Sequence, residues 1–201
     1  MNDAPQPVAG VVLAGGKSTR MGRDKSLLRV GGTTLLRRTI RVLAGIFDEV
    51  LVVADRADRF DALGNVGVVE DLVPDIGPLG GIYTGLKESA NPSCFVVACD
   101  MPLLGPGAIS RQLSIWPAAE VDALVPVVNG RAEPLHSVYA KECLPAIEQQ
   151  VERGEHRVRA LFDVVRVHFW HPGPEDVRSF ANVNTPDEWA ELMETGGLDP
   201  C

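Results

Sequence analysis

The chain has no long apolar run, no paired cysteines and too little positive charge to balance its negative charge. Each lack closes a class of function. The longest apolar stretch near the N-terminus, Val8 to Ala14, is far below the roughly 20 residues that cross a bilayer. Met1-Asn2-Asp3-Ala4-Pro5 lacks the basic start and apolar core of a secretion signal, so the expected location is cytoplasmic, without membrane attachment. Against 27 acidic residues stand 19 basic ones, a net charge of −8. A protein that grips nucleic acid through a broad basic face is not built this way, so no nucleic-acid partner is expected. A small phosphorylated ligand remains open, because it needs only a local positive patch. Cys94, Cys99, Cys143 and Cys201 form no C-x-x-C pair and share no zinc-like spacing with the four histidines. They read as reduced, mostly buried thiols.

What is present is ordinary globular material: 201 residues, 45% hydrophobic and 23% charged, enough for one good-sized domain. Val8 to Ala14 is continuous, apolar and rich in β-branched residues, the pattern of a strand buried on both faces of a parallel sheet. Thr33 or Thr34 caps a helix whose apolar positions are Leu35, Leu36, Ile40, Leu43 and Phe47. Further strands are expected at 49–54, 66–70 and 94–99, with helices at 79–90 and 107–116. Strand and helix in alternation predict a single-domain α/β fold with a mostly parallel, doubly wound (Rossmann-like) sheet. The second half departs from that rhythm. Segments 123–128 and 135–140 flank Asn129-Gly130, a turn dipeptide, and predict an antiparallel excursion. A helix over 142–153 ends at Gly154, a last strand covers 164–170, and Thr185 caps a last helix starting at Pro186. No repeat or linker divides residues 1–201.

Open α/β sheets bind ligands beyond the carboxyl ends of their strands. The segment leaving the first strand, Gly15-Gly16-Lys17-Ser18-Thr19-Arg20-Met21-Gly22-Arg23-Asp24-Lys25, joins adjacent glycines to four cations. Glycines let the backbone approach closely with N–H groups turned toward an anion, so the segment reads as a phosphate loop. It is not a P-loop, which would need glycine where Val11 stands, and no G-x-G-x-x-G occurs there. A plain basic surface loop is the alternative. Asp100 follows five apolar residues and so sits at a strand's carboxyl end; Asp71 does the same after 66–70. Read alone, each is either a Mg²⁺ ligand or a turn cap. Asp75-Ile76-Gly77-Pro78-Leu79-Gly80-Gly81 opens a helix with glycines, either against a flat base or as a structural turn. His168 and His171 read as structural, and Trp116, Trp170 and Trp189 as packing aromatics.

These motifs together resemble nucleotidyltransferases that join an NTP to a phosphate acceptor, and most of all the molybdenum cofactor guanylyltransferase family. The resemblance rests on LAGG at 13–16, RMG-x-DK at 20–25, ED at 70–71, GPLGG at 77–81, CDMP at 99–102, PL at 134–135 and NVNTP at 182–186, in order along nearly the whole chain. Related cytidylyltransferases tend to carry LAAG in the first loop, so LAGG with GPLGG implies guanine. One departure is Val53, where the family often places an asparagine that contacts nucleotide; Asp55 is close by.

The implied reaction transfers GMP from GTP to the terminal phosphate of molybdenum-loaded molybdopterin and releases diphosphate. A cytidylyltransferase, a nucleotidyltransferase for another small phosphate, or a non-catalytic nucleotide-binding module are the alternatives. The resemblance assigns Leu13, Ala14, Gly15, Gly16, Lys25, Asp71 and Gly80 to the nucleotide, and Asp100 to Mg²⁺. Arg20, with Lys25 and Asp100, forms the expected catalytic set, Arg20 clamping the departing diphosphate and Lys17 a weaker candidate for that task. Residues to about 105 would bind nucleotide and the remainder the acceptor, where Arg131, His136, His156, Arg157 and Arg159 are candidates. Asn182 and Asn184 either approach metal or acceptor or cap the last helix. Proteins that hand over the cofactor are expected partners.

Overall fold

The computed structural model describes residues 7–15, 28–30, 32–60, 63–64, 66–116, 119–183 and 185–194. Its centre is β1 (Val8–Leu13), five of whose six residues are buried, as the unbroken apolar run requires. Parallel neighbours flank it: β4 (Val50–Ala54) on one side and β6 (Ser93–Ala98) on the other. Beyond β4 lies β5 (Gly67–Glu70), also parallel. A small hairpin of β2 (Arg29–Val30) and β3 (Thr33–Thr34) stands apart from this sheet.

Past β6 the direction changes. β9 (His136–Ala140) runs antiparallel to both β6 and β7 (Ala123–Val128), and β10 (Val167–Trp170) closes the edge parallel to β7. The sheet order is β10-β7-β9-β6-β1-β4-β5, with the two-residue β8 (Arg131–Ala132) paired to β7. The expected fold class holds: a parallel core with an antiparallel excursion in the second half. The turn at Asn129-Gly130 joins β7 to β8 rather than to β9 directly. Both of its residues have positive φ, 50° and 73°, as a two-residue hairpin turn of right-handed twist demands.

Helices cover both faces. On one, α1 (Leu35–Ala44) and α3 (Pro106–Ile115) bury Leu36, Ile40, Leu43 and Ile109 against Val12, Val52, Phe95 and Val97. On the other, α2 (Pro78–Glu88), α4 (Leu144–Glu152) and α5 (Val158–Leu161) bury Leu79, Ile82, Leu86, Ile147 and Leu161 against Val11, Val53, Val96 and Val125. Thr34 caps α1 by accepting from the Arg37 N–H at 3.2 Å. The helix stops at Ala44, so Phe47 lies beyond it, yet Phe47 is buried and stacks on Phe95 with ring centroids 5.7 Å apart. The last strand begins at Val167 rather than 164, because Val164 and Val165 donate to the Leu161 carbonyl and complete the turn after α5. The last helix is α6 (Pro186–Glu194); Thr185 Oγ1 accepts from the Glu188 N–H while the Glu188 carboxylate accepts from the Thr185 N–H, a reciprocal capping box.

Cys94, Cys99 and Cys143 are buried and unbridged. Burial pushes the thiols of Cys94 and Cys143 up to about 12, so they are inert. Among the described residues no helix is long and apolar enough to cross a membrane.

Candidate active site

The rim of the sheet is built by hydrogen bonds that continue the strand ladders one residue beyond their ends. Ala14 N–H donates to Val53 O at 2.8 Å, Cys99 N–H to Leu13 O at 3.2 Å, and Asp71 N–H to Ala54 O at 2.8 Å. Each loop therefore leaves the sheet in a fixed direction. Gly15 is exposed at the centre of the rim, where a Cβ added to it would lie 3.5 Å from the Asp55 backbone nitrogen, and Asp100 leaves the neighbouring strand on its other side. Leu13, Ala14, Gly15, Asp71 and Asp100 thus share one edge. Gly16, Lys17, Arg20, Arg23, Lys25 and Asn184 lie outside the described residues.

Asp71 is half-buried. Its Oδ1 accepts from the Val73 N–H and the Thr84 hydroxyl, both at 3.0 Å, and Thr84 Oγ1 accepts in turn from the Leu72 N–H at 2.9 Å. Burial pushes the carboxyl pKa upward, against the pull of those two donors. One oxygen therefore caps the turn before α2, and the other accepts no hydrogen bond among the described residues. The turn itself needs Gly77, whose φ is 73°. Gly80 and Gly81 are buried, and the close approach they permit is to protein. A Cβ at Gly80 would lie 2.5 Å from Val73 O, and one at Gly81 2.8 Å from Leu13 Cδ2.

Val53 is 2% exposed and packs under α2, so its side chain does not reach the rim; Asp55 is the exposed residue at that strand's end. The 99–105 loop carrying Asp100 is anchored by burial of Met101, Pro102 and Leu104. Arg38 Nε donates to Pro102 O at 3.0 Å, and Val183 N–H to Asp100 O at 3.1 Å. Asn182 is exposed beside this contact. With Pro102, Val183, Glu188, Glu191 and Leu192 it lines a cleft of about 240 Å³.

The second half of the chain reaches the same rim. Because β9 runs against β6, its beginning lies at the end of β6, and Ala98 N–H donates to Leu135 O at 3.2 Å. Arg131 is exposed on the adjoining hairpin, and Arg159 donates to Ala132 O at 3.3 Å. Between them Glu133 is half-buried, and burial pushes its carboxyl pKa upward despite both guanidinium groups. Arg157 is exposed and paired with Glu155, whose carboxyl it pulls down to about 2; His156 is exposed. The expectation for His136 is corrected. It is fully buried, edge-on to Phe95, and burial pushes its imidazole down to about 4, so it is a neutral core residue that no acceptor can touch. Trp116 is buried and Trp170 packs on the same core, as expected of packing aromatics. His168 and His171 are exposed.

Sequence reasoning missed Thr84, Arg38 and Ser179, each of which fixes a rim loop through a partner distant in sequence. A threonine on the buried stripe of α2 is the one signal of the three that the pattern offered.

Gly15 and two rim aspartates, Asp71 and Asp100, stand at the head of a doubly wound α/β sheet, and residues 10–169 match the MobA-like NTP transferase domain, a nucleotide-handling class. The chain belongs to that family and is a nucleotidyltransferase. It is 36% identical over 193 residues to a probable molybdenum cofactor guanylyltransferase of Natranaerobius thermophilus, covering 90% of this chain and 92% of the relative. To the molybdenum cofactor guanylyltransferase of Syntrophotalea carbinolica it is 31% identical, covering 94% and 91%. The fold is also that of molybdopterin-guanine dinucleotide biosynthesis protein A from Archaeoglobus fulgidus, with a TM-score of 0.83 at 23% identity over 94% of this chain and 98% of that one.

Proposed function

We propose that this chain transfers GMP from GTP to the terminal phosphate of molybdenum-loaded molybdopterin, forming molybdopterin guanine dinucleotide and diphosphate in the cytoplasm. The names of its relatives support the substrates. The observation that carries the reading is the adjacency of Gly15 and Asp100, tied across the rim by the Cys99 to Leu13 hydrogen bond. The glycine that opens the candidate phosphate segment thus lies beside a carboxylate suited to a hard cation.

An acceptor phosphate oxygen attacks the α-phosphorus of GTP; that P–O bond forms as the bond to the departing diphosphate breaks. The nucleophile is already an anion, so no general base is required. The task is alignment and neutralisation of charge. Backbone groups of Leu13, Ala14, Gly15 and Gly16 seat the nucleotide, with Lys25 and Asp71 as further contacts, while Gly80 lets α2 pack against the turn that presents Asp71. Arg20 clamps the leaving diphosphate.

Asp100 would hold Mg²⁺. Such a cation takes one or two protein carboxylates and completes its shell with phosphate oxygens and water, and Asp100 stands at the strand end beside Gly15 where a carboxylate can serve in that way. When bound, Mg²⁺ supplies Lewis-acid stabilisation of phosphate charge. Residues to about 105 form the nucleotide side and the remainder the acceptor side, where Arg131 and Arg159 are exposed cations near the rim. Proteins that carry the pterin are the expected partners.

The test offers GTP, CTP and UTP separately, with Mg²⁺ and acceptor, and follows diphosphate release. Release with GTP alone, and only when acceptor is present, is expected. Preference for CTP or UTP overturns the guanine assignment; GTP binding without release overturns catalysis.

A further inference from the structure

The segment 176–183 crosses the sheet end as a strap, and it holds both ends of the loop that carries Asp100. At the start of the loop, Asp100 O accepts from the Val183 N–H at 3.1 Å. At its end, the Gly105 N–H donates to Ser179 Oγ at 2.9 Å. The strap is itself anchored, because Asp176, 2% exposed, accepts from Arg111 Nε of α3 at 2.6 Å, and Phe180 packs on His136 with centroids 4.3 Å apart.

Ser179 does not choose its own orientation. Gln112 Nε2 donates to Leu124 O at 3.1 Å and to His136 O at 3.2 Å, which leaves Gln112 Oε1 facing His136 Nδ1 at 3.2 Å. An amide oxygen can only accept, so Nδ1 carries the imidazole proton and Nε2 is bare. Nε2 lies 3.4 Å from Ser179 Oγ and accepts a hydrogen bond from its hydroxyl. The oxygen's lone pairs are then turned to the Gly105 N–H. A directional chain runs from the sheet, through Gln112 and His136, to the far end of the Asp100 loop.

We infer that Ser179, oriented by His136 and Gln112, is a positioning residue that sets the place of the Asp100 carboxylate by clamping its loop. The inference rests on the reading of Asp100 as the Mg²⁺ ligand. Removing the hydroxyl leaves the Gly105 N–H without its acceptor and frees the loop at one end, the kind of loss that weakens an equilibrium about tenfold.

The experiment measures Mn²⁺ affinity by electron paramagnetic resonance, with a non-hydrolysable GTP analogue bound, together with the Mg²⁺ dependence of turnover and thermal unfolding. Ser179→Ala is expected to raise the Mn²⁺ Kd and the half-saturating Mg²⁺ about tenfold, while affinity for the analogue without metal is unchanged. Ser179→Thr, which keeps the hydroxyl, restores both within about twofold. Ser179→Cys, which keeps the volume with a weaker acceptor, gives an intermediate shift and serves where the alanine variant does not fold. Unaltered metal constants in the alanine or cysteine variant, whatever happens to unfolding, overturn the inference. Asp100→Asn separates the two claims. If it leaves Mn²⁺ affinity intact, the metal reading fails and the inference with it; if it weakens Mn²⁺ and the Ser179 variants do not, only the clamp is wrong.

Discussion

Gly80 faces the Val73 carbonyl so closely that a Cβ built on it would stand 2.5 Å from that oxygen and 3.1 Å from Asp71 Oδ1. Backbone, unlike a side-chain tip, cannot swing aside. Gly80→Ala must push the start of α2 away from the 71–76 turn, and the expected cost is about 1–3 kcal/mol of stability, measured by denaturant unfolding. Because the same shift displaces Asp71, KM for nucleotide should rise as well. An alanine variant with wild-type stability contradicts the packing described for this glycine.

Thr84 joins α2 to that turn from below. Thr84→Val keeps the shape, removes the donor to Asp71 Oδ1 and strands the Leu72 N–H. A loss of about 2 kcal/mol is expected, as for a hydrogen bond to a charged group. Calorimetric unfolding at neutral pH measures it; a variant as stable as the parent means the bond contributes nothing net.

Asp100→Asn and Arg20→Ala test the charge side of the proposed chemistry. Each should lower turnover by roughly 10² or more, the scale of a lost electrostatic contact in the transition state. Single-turnover measurement at saturating GTP separates this from weaker binding. Near-normal turnover in either variant removes that residue from the mechanism.

The buried imidazole of His136 makes stability depend on acidity. Its pKa falls from 6.5 in the unfolded chain to about 4 when folded, so between those values the unfolded state binds the extra proton. Stability therefore drops as pH falls through 6.5 and the loss levels off below about 4, with about 2 kcal/mol lost between pH 7 and pH 5 from this residue. Urea titrations across that range should show a slope that His136→Asn lacks. An equal slope in the variant would assign the effect to other groups.

The parallel half of the fold was legible because strands buried on both faces leave no alternation: β1, β4 and β6 read directly as apolar runs. Asp100 was legible as a rim residue for the same reason, since a carboxylate just after such a run stands at its end; Asp71 follows the edge strand β5, whose Gly67 and Glu70 are exposed, and was legible only from the short apolar stretch before Glu70. The division of labour within the rim was not. Glycines in GPLGG serve helix packing as readily as ligand approach, and only the position of Val73 and Leu13 shows which contact they make here. His136 looked like an acceptor contact because one imidazole in a sequence carries no mark of its burial. Ser179 lies 74 residues from Gly105 and 43 from His136, and no local pattern announces partners at such separations. The strand start at Val167 was misplaced by three residues because Val164 and Val165 are as strand-like in type as those that follow, while their N–H groups belong to a helix end.

One reversal of chain direction, at β9, has a wider effect. Since it alone in the seven-strand order opposes its neighbours, the others all finish on the same border of the plate. Under the proposed reaction, donor and acceptor would therefore meet along a single border of the sheet, the one where these strands end. The opposite border is closed on itself, because Glu49 before β4 accepts from Ser89, Ala90 and Asn91 before β6 and so ties the beginnings of two strands together.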